Sequence, residues 1–287
     1  MVWKMYIASY ELHSPLHIGY HKIGNLQRTR YYIPARNLWG AVTETLTRRG
    51  FAEQILQQSN PVDYQAVGRW VEEHCAFGYW FIVESHHLLS PHYEKGELKY
   101  GNLSLDQFER RYLKAHVTTA LEAATTSAAE GSLHEVEYLS PYTPEGRRTQ
   151  IKGVFFLDEE AQRELGEKEK WQKWLGVLQI GGERRYGFGQ LRLEDISPAT
   201  DDRWQLEAKR PRYWVEKNKP LPAHTLASEV KACGQIEPLL GRQTSGDSAN
   251  FGRSLVMAQI CWAPGSMIEE ETYLQVSPNG IWQRPVE

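Results

Sequence analysis

From Val2 to Ile196 the apolar residues run through strand, helix, strand, strand, helix and strand periods in that order, and few architectures accept such an order. Val2–Leu12 alternates and is rich in aromatic and β-branched side chains. Leu38, Ala41, Val42, Thr45 and Leu46 share one face of a helix that opens behind Pro34 and closes on Arg48-Arg49-Gly50, a cationic last turn with a glycine stop. Phe77–Glu84 and Thr149–Leu157 read as the second and third strands. Trp171, Trp174, Leu175 and Leu178 give the face of a second helix, and Gln190–Ile196 returns to strand. The order predicts an α+β, ferredoxin-like (RRM-like) domain with long insertions.

The insertions are placed by what lacks a period. His13–Tyr32 carries Pro15, Gly19 and Gly24 among polar and basic residues and reads as a long connection. The stretch from about 85 to 148 holds a short helix at Leu105–Leu113 and a polar segment, Thr118–Gly131, too poor in apolar residues for a core of its own. Residues 1–196 thus form the first domain. Residues 197–222, with prolines at 198, 211, 220 and 222, read as a linker. Residues 223–287 form a smaller lobe, with a helix at Leu226–Cys233 and strands at Leu255–Trp262 and Thr272–Val276, which fits a second, reduced ferredoxin-like unit.

Composition narrows the function classes. A net charge of −3 over 287 residues leaves no whole-surface attraction to nucleic acid, so any such binding must be local. Lys22–Arg49 supplies one basic stretch, with Lys22, Arg28, Arg30, Arg36, Arg48 and Arg49 against Glu44 alone. Three cysteines without a Cys-x-x-Cys pair indicate neither a disulfide framework nor a cysteine metal site, and point to a reducing, cytoplasmic setting. No export signal or membrane span is expected. His86, His87 and His92 lack acids or cysteines at ligand spacing, so no metal and no cofactor is expected.

The densest chemical signal is Gly181-Gly182-Glu183-Arg184-Arg185-Tyr186-Gly187-Phe188-Gly189. Glycines let the backbone take positive φ and bring N–H groups close to a ligand, arginines fork onto phosphate, and Tyr186 and Phe188 offer faces for bases. The spacing matches neither a P-loop nor the dinucleotide fingerprint. The alternative is a tight αβ connection whose glycines only cap a helix and make a turn.

Together with two further segments, this loop resembles the RAMP proteins of CRISPR effector complexes. Pro15-Leu16-His17-Ile18-Gly19 precedes a basic loop, and Tyr32-Ile33-Pro34-Ala35-Arg36-Asn37-Leu38-Trp39-Gly40-Ala41 is similar to the family's turn into its first helix. His116–Thr119, then Thr125–Leu133 leading into Glu135-Val136-Glu137-Tyr138, is similar to the family's thumb insertion, which touches guide RNA. The resemblance implies RNA contacts at Lys22, Arg28, Arg30, Arg36, His116, Gly181, Gly182, Arg184, Arg185, Tyr186, Gly187 and Gly189. The long segment after the loop resembles the type III subunits that cap the 5′ end of the guide (crRNA). Partners would then be crRNA, the large signalling subunit and a backbone subunit, with target RNA met indirectly. Backbone subunits of the family carry a target-cleaving aspartate beside the thumb, whereas Lys114–Leu121 has no acid.

Three rivals stand beside a non-catalytic cap, the first being a crRNA-binding backbone subunit of the same superfamily. A metal-independent, repeat-processing ribonuclease of the same superfamily would use His17 or His21 as acid or base, with His13 nearby and Tyr20 and Lys22 assisting. A protein-only scaffold would dock its basic loop on acidic surfaces and use its ten tryptophans in interfaces.

Overall fold

A computed structural model describes residues 2–120, 122, 127, 132–242 and 255–285. In chain order, the elements that position the candidate site are β1 (Lys4–Leu12), β2 (Gly19–Ile23), β3 (Leu26–Thr29), α1 (Ala35–Arg48), α2 (Tyr64–His74), β4 (Trp80–Glu84), α3 (Leu105–Tyr112), β5 (Leu113–Thr118), β6 (His134–Leu139), β7 (Gln150–Leu157), α4 (Lys168–Leu175) and β8 (Gln190–Pro198). Four of them make the central sheet in the order β8-β1-β7-β4, each neighbouring pair antiparallel. This is the ferredoxin-like order, with the first strand between the third and the last.

The pattern of β1 explains its central place, since Met5, Tyr6, Ala8, Tyr10 and Leu12 are all buried. The Tyr10 ring stacks on Trp80 with centroids 5.2 Å apart, and its hydroxyl donates to the Leu175 carbonyl at the end of α4. A Cβ at Gly153 would lie 1.9 Å from Trp80 Cδ1, so glycine in β7 makes room for that indole. Leu38, Val42 and Leu46 of α1, Val67 and Val71 of α2, and Trp171 and Trp174 of α4 are buried in the same core as the strands. The helix read through Leu178 stops at Leu175, and Leu178 belongs instead to a short strand, Val177–Gln179, paired with β8. Helix α2 was not expected from the sequence.

The segment His13–Tyr32, read as a connection, contains the hairpin β2–β3. With β5 and β6 it forms a separate sheet in the order β5-β6-β3-β2, whose β6–β3 contact is parallel. Helix α3 matches its expectation and starts on a capping box between Ser104 and Gln107. Residues 123–126 and 128–131, the heart of the thumb-like motif, fall outside the described residues.

Beyond residue 199 the described residues form strands and turns and no helix. The helix expected at Leu226–Cys233 is a correction: Thr225–Leu226 and Ala232–Cys233 are short strands. Thr225 sits between Trp262 and Trp282 in one sheet, and closing that sheet outweighs the weak helix preference of so short a segment. The second unit is therefore built as a sheet rather than by alternating helix and strand. Its seven-stranded sheet includes β9 (Arg212–Val215), β10 (Ile236–Arg242), β11 (Leu255–Trp262) and β12 (Thr272–Val276). Trp204–Gln205 and β9, both within 197–222, are strands of this sheet, and Trp204 packs 4.5 Å from Phe156 and 5.5 Å from Trp282. Arg210, buried, donates to the carbonyls of Glu72 and Cys75 behind α2 and to that of Val276. No described helix is long and apolar enough to cross a membrane.

Candidate nucleic-acid interface

The glycine loop joins the strand Val177–Gln179 to β8, and it rests on the segment Pro15–Gly19. Gly182 N–H donates to the His17 carbonyl at 2.8 Å and Gly189 N–H to that of Pro15 at 2.7 Å. Gly181 and Gly189 both have positive φ. A Cβ at Gly181 would stand 2.3 Å from the His17 carbonyl oxygen, and one at Gly189 would stand 1.8 Å from that of Ile180. These two glycines therefore admit the protein's own backbone, not a ligand's. Gly182 faces the His17 ring, with a Cβ 3.1 Å from Cδ2, whereas a Cβ at Gly187 meets nothing within 4 Å.

Between the glycines, Arg184–Tyr186 make a single 3-10 turn that points outward. Tyr186 is 75 % exposed, and Arg185 is exposed with no ion pair among the described residues. Arg184 is bound to Glu44 of α1, which also pairs with Arg48 at 3.0 Å. The turn and α1 flank a cleft of about 580 Å³ lined by Arg48, Arg184, Arg185 and Tyr186 and by the acids Glu44 and Glu183. Phe188 does not offer the face expected of it: it is buried, edge-on to Tyr138 with centroids 5.6 Å apart.

His17 is buried beneath this loop and donates through Nδ1 to the Glu137 carbonyl at 2.7 Å. The sequence reading places Glu137 in the thumb-like motif but gives it no role of its own. Its buried carboxylate accepts from Thr29 N–H at 2.9 Å and from Arg28 Nε at 3.0 Å, and so ties β6 to β3. His21 lies on exposed strand β2, opposite Arg28 in register, whereas His17 is buried. His13 sits 3.4 Å from Glu11. His86 and His87 are exposed in and beside a turn.

The basic stretch divides sharply. Lys22 is exposed on β2, and His116 is exposed on β5 opposite Val136. Arg28 is taken up by Glu137 and by the Tyr31 hydroxyl. Arg36 is partly buried with its guanidinium 4.7 Å from the Trp39 ring centre, and burial holds its pKa below the usual arginine value. Arg30 is not available to a phosphate at all. It is buried, pairs with Glu237 of β10 at 2.7 Å and donates to the Tyr32 hydroxyl. Glu237 also accepts from His224 Nε2–H, while the Tyr79 hydroxyl donates to His224 Nδ1 at 2.7 Å. His224 and Glu237 were missed because a buried polar chain closes only in three dimensions. No segment around either residue carries a motif.

The family model of the RAMP superfamily matches residues 9–192. A chain of the type III-B Cmr-beta complex solved by cryo-electron microscopy with cognate target RNA and AMPPnP is similar in fold. It has 13 % identity and a TM-score of 0.55, over 92 % of this chain and 85 % of that one. A chain of the same kind of complex bound to cognate target RNA gives 12 % identity and a TM-score of 0.53, over 92 % and 86 %. No curated protein matches the sequence. The family match covers well over half of the chain and includes both the His17 segment and the glycine loop, and the chain belongs to the RAMP superfamily.

Proposed function

We propose that this protein is an RNA-binding subunit of a type III CRISPR effector ribonucleoprotein, gripping the 5′ tag of the guide RNA. Its partners would be crRNA, the large signalling subunit and a backbone subunit, and it would meet target RNA through the guide. The observation that carries the reading is the outward 3-10 turn: a guanidinium at Arg185 with no ion pair among the described residues beside a bare aromatic at Tyr186, on a loop whose Gly181 and Gly189 pack against the protein's own backbone. A phosphate can pair with Arg185 and a neighbouring base can stack on Tyr186 without a costly rearrangement. Lys22 and His116, exposed on the sheet that carries the thumb-like segment, extend the surface. Fold likeness to chains of target-RNA-bound complexes supports the same reading.

The test is equilibrium binding of a repeat-containing RNA by the wild type and by an Arg185→Ala/Tyr186→Ala variant. The variant is expected to bind roughly 10- to 100-fold more weakly, with a salt slope smaller by about one, since it loses one phosphate contact and one stacked base. Equal affinities at every salt concentration would remove the loop from the interface. The side chains at both positions are exposed, so the fold of the variant should be unchanged.

A further inference from the structure

Away from the glycine loop, a second cavity of about 170 Å³ opens where β2 and β3 meet the C-terminal sheet. Five of its fifteen lining residues are tyrosines: Tyr20, Tyr31, Tyr32, Tyr93 and Tyr100. The inner rings brace one another, with Tyr31 5.6 Å from Tyr100 and Tyr100 4.4 Å from Phe108 beneath them. Tyr20, 44 % exposed, forms the mouth beside exposed Gln235 and lies under the Arg30 guanidinium at 4.7 Å. A cavity of roughly 150 Å³ holds one benzene ring, so this one suits a single planar ring system and not a whole nucleotide with its phosphate.

The charges on the wall select further. Arg28 lies 3.9 Å from Glu109 and Arg30 2.7 Å from Glu237, and all four residues line the cavity. A phosphate entering here would meet two carboxylates and arginines already engaged, whereas a neutral heterocycle would meet no net repulsion. Several polar groups are left to it, since the side chains of Tyr20, Tyr93 and Gln235, like that of Tyr100, make no hydrogen bond among the described residues. The Tyr100 side chain is buried, with 6 % exposure, and its hydroxyl makes no hydrogen bond among the described residues. The hydroxyl oxygen itself is not fully enclosed, and Tyr100 lines the cavity that a ligand would fill.

The geometry points to a pocket for one splayed-out nucleobase of an RNA strand, stacked among the tyrosines and read on its edge by Tyr100 and Gln235. This rests on the RNA-binding reading above but uses a different site. The experiment takes the repeat-containing RNA with each nucleotide in turn replaced by an abasic one and measures binding to the wild type, Tyr20→Ala and Tyr100→Phe. One abasic position, besides that of the base stacked on Tyr186, is expected to cost the wild type about tenfold. In Tyr20→Ala that position should cost almost nothing, because the stacked base has already lost its wall. Tyr100→Phe, which removes only a hydroxyl, should narrow the preference among bases at that position. If no abasic position loses its cost in Tyr20→Ala, the pocket proposal is overturned while RNA binding through the loop stands, since a base stacked on Tyr186 keeps its cost in that variant. If the wild type does not bind the intact RNA, both fall.

Discussion

Arg30→Ala is expected to destabilise the protein by about 3–5 kcal/mol, the range for stripping one partner from a buried ion pair. Arg30 and Glu237 are both buried, and alanine would leave the carboxylate with His224 as its remaining partner. Urea unfolding followed by circular dichroism measures the loss. Arg30→Met/Glu237→Gln should recover most of it, because the glutamine oxygen still accepts from His224 and no charge is stranded. A stable Arg30→Ala protein with weakened RNA binding would restore Arg30 to the interface and refute the structural role.

The same group sets a pH dependence. Burial pushes the His224 pKa below the usual histidine value, more than Glu237 raises it. Burial alone would raise Glu237, but hydrogen bonds from His224 and Arg30 hold its carboxyl down to about 2. Both folded-state values lie below the unfolded ones, so at acid pH the unfolded chain binds more protons than the native one. Stability contributed by the pair is complete above about pH 6.5 and falls as pH drops, first as unfolded histidine protonates and then between about 4.3 and 2 as the carboxyl does. In Arg30→Ala the lower part of that decline should shrink, since one of the two bonds depressing the Glu237 pKa is gone. Unfolding midpoints measured between pH 7 and pH 3 check this.

The second large effect is expected at Gly189. A Cβ there would stand 1.8 Å from the Ile180 carbonyl oxygen, on a backbone with φ of +80°. Relief requires breaking the Ile180–Gly189 and Gly189–Pro15 hydrogen bonds, at 2.9 and 2.7 Å, that close the loop on its seat. Left-handed strain of about 1–2 kcal/mol, two lost hydrogen bonds of about 1 kcal/mol each and overpacking of about 1–3 kcal/mol together put Gly189→Ala at roughly 4–7 kcal/mol. Gly187→Ala carries similar φ strain with open space around it and should cost only about 1–2 kcal/mol. Thermal denaturation of the two variants gives the ranking, and equal losses would show that the clash is relieved elsewhere. RNA affinity should follow the same order, because displacing the seat displaces Arg185 and Tyr186.

The four central strands and helices α1, α3 and α4 were legible because each buries one face, and burial leaves its period in the sequence. Two elements were legible but unread. Asp63 caps α2 through its side chain, and Val67, Trp70 and Val71 repeat at helical spacing. Gly24-Asn25 between Ile23 and Leu26 is a two-residue hairpin turn. The candidate site was legible only in outline. The sequence separates a basic loop from its surroundings, but a local reading cannot tell a free arginine from a committed one. Arg185 and Arg30 look alike in the sequence; one faces solvent and the other is buried against a glutamate 207 residues away.

The place of β1 also bears on how the chain acquires its shape. Tyr6 stands opposite Phe155 on one side and Pro198 on the other, so this strand precedes both of its neighbours by well over a hundred residues. During synthesis its largely apolar length must wait, unpaired, until β7 and then β8 leave the ribosome. Such long-range pairing slows folding and leaves a sticky edge open to other chains. Overproduction of the protein should therefore be governed by the interval between translating residue 12 and residue 190 more than by the stability of the finished fold.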